Sequence, residues 1–242
     1  MLVATTWSGN VHVVPADVDV ARDRPPATGR SAPSPLRHPV ADGPLVCGEV
    51  HGDALVAGLY TGGVVCLGLA DGAVRWRSAD ATGAVKSVHA RGDRVAVVGR
   101  YDPLRVLDAR TGSTLARLPL HTSVSDTVRF DARGEMLACA AADGEVWFVR
   151  LRDSSAGLDL EIVARSPGHE RPIKALAWTP DGAVLAGDYA GRVVRHTPHG
   201  PSELLGTVSP VLGVSALLVR GDRVFVATFD GTVTPFLLRS AA

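Results

Sequence analysis

One pattern of apolar and polar positions returns six times along the chain. Each copy is a short apolar run, a tight turn rich in glycine, and a second short apolar run. The copies span Leu2 to Val14, Leu55 to Leu67, Val95 to Leu107, Leu137 to Val149, Val184 to His196 and Val224 to Leu237. Their spacing is about 40 residues, a period of repeat architectures. Val, Leu and Ala dominate both arms. The arms are too short for helices, so they predict strands. Gly9-Asn10, Gly62-Gly63, Asp143-Gly144 and Asp230-Gly231 supply the backbone freedom that a hairpin turn needs. Asp102-Pro103 departs from that turn chemistry.

Two further strands flank each hairpin. The preceding one is clearest in Val85-Lys86-Ser87-Val88, Ile173-Lys174-Ala175-Leu176 and Val214-Ser215-Ala216-Leu217. The following one is clearest in Ala73-Val74-Arg75-Trp76 and Thr114-Leu115-Ala116-Arg117. Four strands per repeat predict an all-β chain built from β-propeller blades. A single blade cannot cover both its faces, so the copies must stack around an axis.

The stretch from Gly168-His169 through Ile173-Lys174-Ala175-Leu176-Ala177-Trp178 to Asp181-Gly182 resembles the Gly-His opening and first strand of a Trp-Asp (WD) repeat. Leu107-Asp108 falls where that family places its Trp-Asp pair, with Leu for Trp. Val149-Arg150 and His196-Thr197 replace the pair elsewhere. Gly-His occurs once, so the resemblance implies that the family's His-Asp network is mostly missing and that apolar packing holds the blades. Gly63 to Trp76 is similar to the repeats of pyrroloquinoline-quinone-type propellers.

The expected architecture is one domain over residues 1–242, with six blade motifs of which the first and last are incomplete. The chain starts without a visible first strand and ends, at Phe236-Leu237-Leu238, without a visible fourth. An open edge near Val233 to Leu238 is expected to take a partner chain or an upstream extension. Residues 15–44 hold seven of the 16 prolines and four arginines with little periodicity, and are read as a flexible insertion.

Composition narrows the partner class. Lys plus Arg equals Asp plus Glu at 25 each, and the pI is near 7.1, so no electrostatic footprint for nucleic acid or an anionic membrane is present. Lys86 and Lys174 are the only lysines among those 25 basic residues, an Arg-rich bias that suggests a high-GC bacterial source. The N-terminal residues carry no basic signal-peptide region, and the apolar runs are too short to span a bilayer. Cys47, Cys66 and Cys139 are odd in number and scattered, which suits core thiols in a reducing cytoplasm.

Neither a catalytic nor a metal-binding motif is visible, and no cofactor is implied. His51 and His89 share a repeat position near the end of a first strand. They serve more simply as blade-end residues than as metal ligands. Two patterns favour binding. The turn-entry position of successive copies reads Trp7, Tyr60, Tyr101, Ala142, Tyr189 and Phe229, which takes five of the chain's 12 aromatics and all three tyrosines. Packing over a neighbouring blade is the plain role for such rings. Partner contact is the sharper one, because Tyr and Trp suit half-exposed interfaces. Lys86, Asp126 and Lys174 align early in successive first strands, as a channel-mouth charge cluster or as a self-neutralising bridge. The expectation is a non-enzymatic, protein-binding scaffold. A propeller hydrolase or lyase and a binder of small anions are the alternatives, since fold alone does not fix function.

Overall fold

The computed structural model describes residues 2–5, 10–14, 36–39, 43–78, 80, 83–120, 125–208 and 213–238. Trp7 and most of the expected insertion at 15–44 lie outside the described residues. The described residues form 22 strands and no helix.

The strands group into six antiparallel sheets, here called blades 1 to 6. Blade 1 holds β1 (Leu2–Thr5), β2 (Asn10–Val14) and β3 (Leu36–Pro39). Blade 2 holds β4 (Leu45–His51), β5 (Ala54–Leu59), β6 (Val64–Gly68) and β7 (Val74–Ser78). Blade 3 holds β8 (Val85–Arg91), β9 (Arg94–Gly99), β10 (Leu104–Asp108) and β11 (Thr114–Leu118). Blade 4 holds β12 (Ser125–Phe130), β13 (Met136–Ala141), β14 (Glu145–Ser154) and β15 (Gly157–Pro167). Blade 5 holds β16 (Ile173–Trp178), β17 (Val184–Asp188), β18 (Arg192–His196) and β19 (Glu203–Thr207). Blade 6 holds β20 (Val214–Arg220), β21 (Arg223–Thr228) and β22 (Val233–Leu237).

Each blade is a meander in chain order. The first strands β4, β8, β12, β16 and β20 contact one another in succession, so they line an axis from which the sheets radiate. The three-stranded first and last sheets match the incomplete blades read from the sequence. Within the span expected as an insertion, Leu36–Pro39 pairs with β2 in regular register.

The core lies between blades. Val, Leu and Ala on β5, β6, β9 and β10 are almost all fully buried, because both faces of a middle blade are covered. One cluster joins Val56, Cys66 and Trp76 of blade 2 to Val85, Val97 and Leu107 of blade 3. Another joins Ala96, Val98 and Val106 of blade 3 to Val128, Cys139 and Trp147 of blade 4. The approach is close enough to demand glycine at two equivalent places. A Cβ on Gly58 would stand 2.4 Å from Val85 Cγ1, and one on Gly187 would stand 2.4 Å from Val214 Cγ1. In both, the second strand of one blade cradles the valine that opens the first strand of the next.

Candidate partner-binding face

Every first strand from blade 2 to blade 6 breaks register after its opening residue. The shifts fall between Leu45 and Cys47, Val85 and Ser87, Ser125 and Thr127, Ile173 and Ala175, and Val214 and Ala216. The skipped residue is the extra one of a β-bulge, which drops out of the ladder and re-aims its side chain. In order these residues are Val46, Lys86, Asp126, Lys174 and Ser215. Lys86, Asp126 and Lys174 thus occupy one structural position on three successive blades, all half-buried. Among the described residues no ion pair joins them.

The pairing register puts the aromatic turns at this same end of the blades. The start of each first strand lies opposite the end of the second, as in Leu45 with Leu59, Ile173 with Asp188 and Val214 with Thr228. The next residue donates its backbone N–H to the segment before the first strand: Tyr60 to Pro44 O at 2.9 Å, Tyr189 to Pro172 O at 3.2 Å and Phe229 to Gly213 O at 3.2 Å. In blade 3 that bond comes from Arg100, to Ala84 O at 2.9 Å. Arg100 therefore holds the position assigned to Tyr101 from the sequence. Tyr101 stands one residue further along, at φ 59°, the one described non-glycine residue with positive φ. The repeat count agrees: Arg100 is sixth in the copy Val95 to Leu107, as Tyr60 is sixth in Leu55 to Leu67, so the assignment of Tyr101 to this position is corrected by one residue.

Tyr60, Tyr101, Tyr189 and Phe229 are 49%, 69%, 43% and 51% exposed. Tyr189 and Phe229, on adjacent blades, stack with centroids 5.8 Å apart and planes within 5°. Gly213 permits that approach, because a Cβ there would lie 2.4 Å from Tyr189 Cα. Arg100 lays its guanidinium 5.7 Å from the centroid of the Tyr101 ring. The Tyr189 phenol is raised above its ordinary value by partial burial and by the negative charge of Asp126, which ties the aromatic pattern to the charged one. The resulting face offers flat apolar rings with polar tips beside fixed charges of both signs.

Deeper in the channel, Arg129 on β12 donates to Ser87 Oγ at 3.2 Å and to its neighbour's carbonyl, Val128 O, at 2.8 Å. Burial raises the Glu49 carboxyl, and the Arg129 charge opposes the rise. His51 and His89 serve blade-to-blade bonding. His51 Nε2 lies 2.8 Å from Gly92 O, and His89 Nδ1 accepts the Phe130 N–H at 3.1 Å. Burial, with nearby Arg129, pushes His89 down to about 3.

The sequence reading missed a buried network in blade 5. His169 Nδ1 lies 2.8 Å from Asp188 Oδ2, while Asp188 Oδ1 accepts the N–H groups of Ala190 and Arg192 at 2.9 and 3.0 Å. His196 stacks on His169, reaches its Nε2 at 3.2 Å, and meets Ser166 Oγ at 2.9 Å. The His-Asp network is therefore complete in this blade, with His196 where the Trp-Asp repeat carries Trp. Gly168-His169 was its visible signal. A second unforeseen feature is Arg105, fully buried between blades 2 and 3 with Asp102 4.0 Å away.

No group of three or more His, Cys, Asp or Glu among the described residues is arranged to hold a metal. No described helix is long and apolar enough to cross a membrane. All three cysteines are free, and burial raises the thiols of Cys47 to about 11 and Cys139 to about 12.

Among solved structures, the WD40 β-propeller domain of Doa1 matches with a TM-score of 0.77 at 11% sequence identity. The alignment covers 98% of this chain and 74% of that one. The chain is a β-propeller. The family described as outer membrane protein assembly factor BamB matches residues 60–157 of the propeller, which include the whole segment similar to pyrroloquinoline-quinone-type repeats. No curated protein matches this chain.

Proposed function

We propose that this propeller is a non-catalytic protein-interaction scaffold of the bacterial cytoplasm. It receives its partner on the face that carries Tyr60, Tyr101, Tyr189 and Phe229, with Lys86, Asp126 and Lys174 at the channel mouth beside them. The carrying observation is the exposed Tyr189–Phe229 stack, a continuous aromatic surface bridging two blades. A core needs only Leu or Val at these positions. A ring with a polar tip suits a surface that is wet when free and dry when bound. Three free thiols fit a reducing compartment. The family matched over residues 60–157 is named for an assembly factor, which accords with a binding role.

The test compares partner recovery with thermal stability, variant by variant. Tyr60→Ala, Tyr189→Ala and Phe229→Ala are expected to lower the affinity for a partner cross-linked in the native cell by about thirtyfold, equivalent to ~2 kcal/mol for an aromatic hot spot. Tm should stay close to that of the parent. Lys86→Ala and Lys174→Ala should act more weakly and in a salt-sensitive way. Early unfolding of the aromatic variants, with normal partner recovery by the folded fraction, would show that the rings serve packing alone.

A further inference from the structure

Blade 6 ends in a strand whose outer edge is unpaired among the described residues. The N–H of Leu238 donates inward to Asp222 O at 2.7 Å, and Thr232 O accepts inward from Thr228 N at 3.0 Å. Backbone groups alternate in direction along a strand, so Val233, Pro235 and Leu237 turn theirs away from β21. In blades 2 to 5 the corresponding edge carries a fourth strand: β7, β11, β15 or β19. Beside the β22 edge runs a groove of about 1060 Å³ whose apolar wall is made by Leu204, Leu205 and Phe236.

We propose that the β22 edge and this groove bind an extended, basic-flanked, alternately apolar peptide segment of another protein, which adds to blade 6 as its fourth strand. The alternation is the one that this chain uses in blade 4. There the fourth strand β15 sets Leu158, Leu160 and Ile162 against the core that joins blades 3 and 4. The flanking charge follows from the groove, whose rim carries Asp181, Glu203 and Asp222 against Arg195 alone. Arg195 already donates to Asp181 at 2.7 Å, which leaves a net negative rim. A second copy of the same edge fits poorly. Two β22 strands crossing at Pro235 would bring together residues that have no N–H, and the strand Val-Thr-Pro-Phe-Leu has no basic residue to answer the rim. Val233 and Leu237 supply the outward hydrogen bonds, main-chain pairing gives affinity, and the groove reads alternate side chains.

A fluorescent synthetic peptide with the sequence of residues 157–167, flanked by two lysines at each end, is titrated with the full chain. Saturable binding with Kd of about 1–100 μM is expected, as for a short strand addition. Leu237→Pro removes an outward N–H and leaves β21 pairing alone, so it should weaken binding about tenfold or more. The Glu203→Lys/Asp222→Lys double variant should bind a glutamate-flanked version of the peptide better than the lysine-flanked one, which keeps the test decisive if Leu237→Pro fails to fold. The aromatic-face variants should bind the peptide like the parent, which separates this site from the face assigned above. No saturation up to about 1 mM, roughly the weakest meaningful affinity, would overturn the proposal. So would an unchanged peptide preference in the charge-reversed chain, or a concentration-dependent dimer that excludes the peptide.

Discussion

His196 lies over His169 in blade 5, with ring centroids 5.3 Å apart and both residues closed off from solvent. Burial, reinforced by His169, holds His196 down at about 3, and burial lowers His169 against the pull of Asp188. A free histidine titrates near ~6.5. Below that pH the unfolded chain takes protons that the folded network refuses. For His196 this contribution to stability is therefore complete above about pH 6.5 and is lost as pH falls toward about 3, at up to ~1.4 kcal/mol per pH unit, and His169 acts in the same direction. Urea midpoints measured from pH 7.5 to 4 should fall steadily below about pH 6.5. His196→Gln should start less stable at neutral pH and show a flatter acid slope. A variant slope equal to that of the parent would place the acid sensitivity elsewhere, with His89 the next residue to replace.

Arg105 sits in the wall between blades 2 and 3, where an apolar residue would be ordinary. Its position on β10 corresponds to Val65 on β6 and Val194 on β18. Among the described residues none of its three guanidinium nitrogens has a hydrogen-bond partner, and Asp102 approaches only to 4.0 Å. A buried charge so weakly compensated contributes little, and an apolar side chain of similar volume often does better. Replacing both members, Arg105→Met with Asp102→Leu, is expected to leave Tm unchanged or to raise it, a gain of about 1–4 kcal/mol at most. Asp102→Ala should instead cost about 3 kcal/mol or more, because it removes the nearest opposite charge. Chemical denaturation of the two variants measures both effects.

The glycines at 58 and 187 make a paired prediction about packing. Each passes so close to the valine of the next blade that an added Cβ would stand 2.4 Å from a methyl carbon. The neighbouring valines, Val85 and Val214, are fully buried and have no room to retreat. Gly58→Ala and Gly187→Ala should each destabilise by about 1–3 kcal/mol through overpacking. Val85→Ala in the Gly58→Ala background should recover part of that loss, which a thermal melt of the double variant would reveal.

Blade positions were legible in the sequence because strand, turn and strand each left a periodic mark that recurred. The aligned Lys86, Asp126 and Lys174 proved to share one bulged position for the same reason. The network of His169, Asp188, His196 and Ser166 was underestimated, since its bonded partners are 19 to 30 residues apart and meet only when β18 folds back over the loop before β16. Arg105 was illegible for a different reason. An arginine between apolar residues on a strand reads as an outward-facing position, and only the stacking of blade 2 on blade 3 reveals that this face is covered. Tyr101 was placed one residue off because its aromatic type was followed in preference to the count along the repeat, which puts Arg100 at that position.

That shift gives the last prediction. Tyr101 holds φ at 59°, a region that costs an L-residue roughly 1 kcal/mol or more and costs glycine almost nothing. Its ring is the most exposed of the described aromatics on this face, and among the described residues its one ring contact is the Arg100 guanidinium at 5.7 Å. An exposed cation–π contact of this kind contributes about 0.5–1 kcal/mol. Strain and contact nearly cancel, so the ring is not maintained by stability. Tyr101→Gly should be neutral or stabilising by up to about 1 kcal/mol, whereas Tyr101→Ala keeps the strain, loses the contact and should be destabilising by about 0.5–1 kcal/mol. Both variants should lose partner affinity to a similar degree, because both delete the ring. Thermal melts and partner titrations on the two variants separate these effects. If Tyr101→Gly keeps full affinity, Tyr101 is no part of the binding face. If it melts well below Tyr101→Ala, the left-handed backbone is not where the cost of this tyrosine lies.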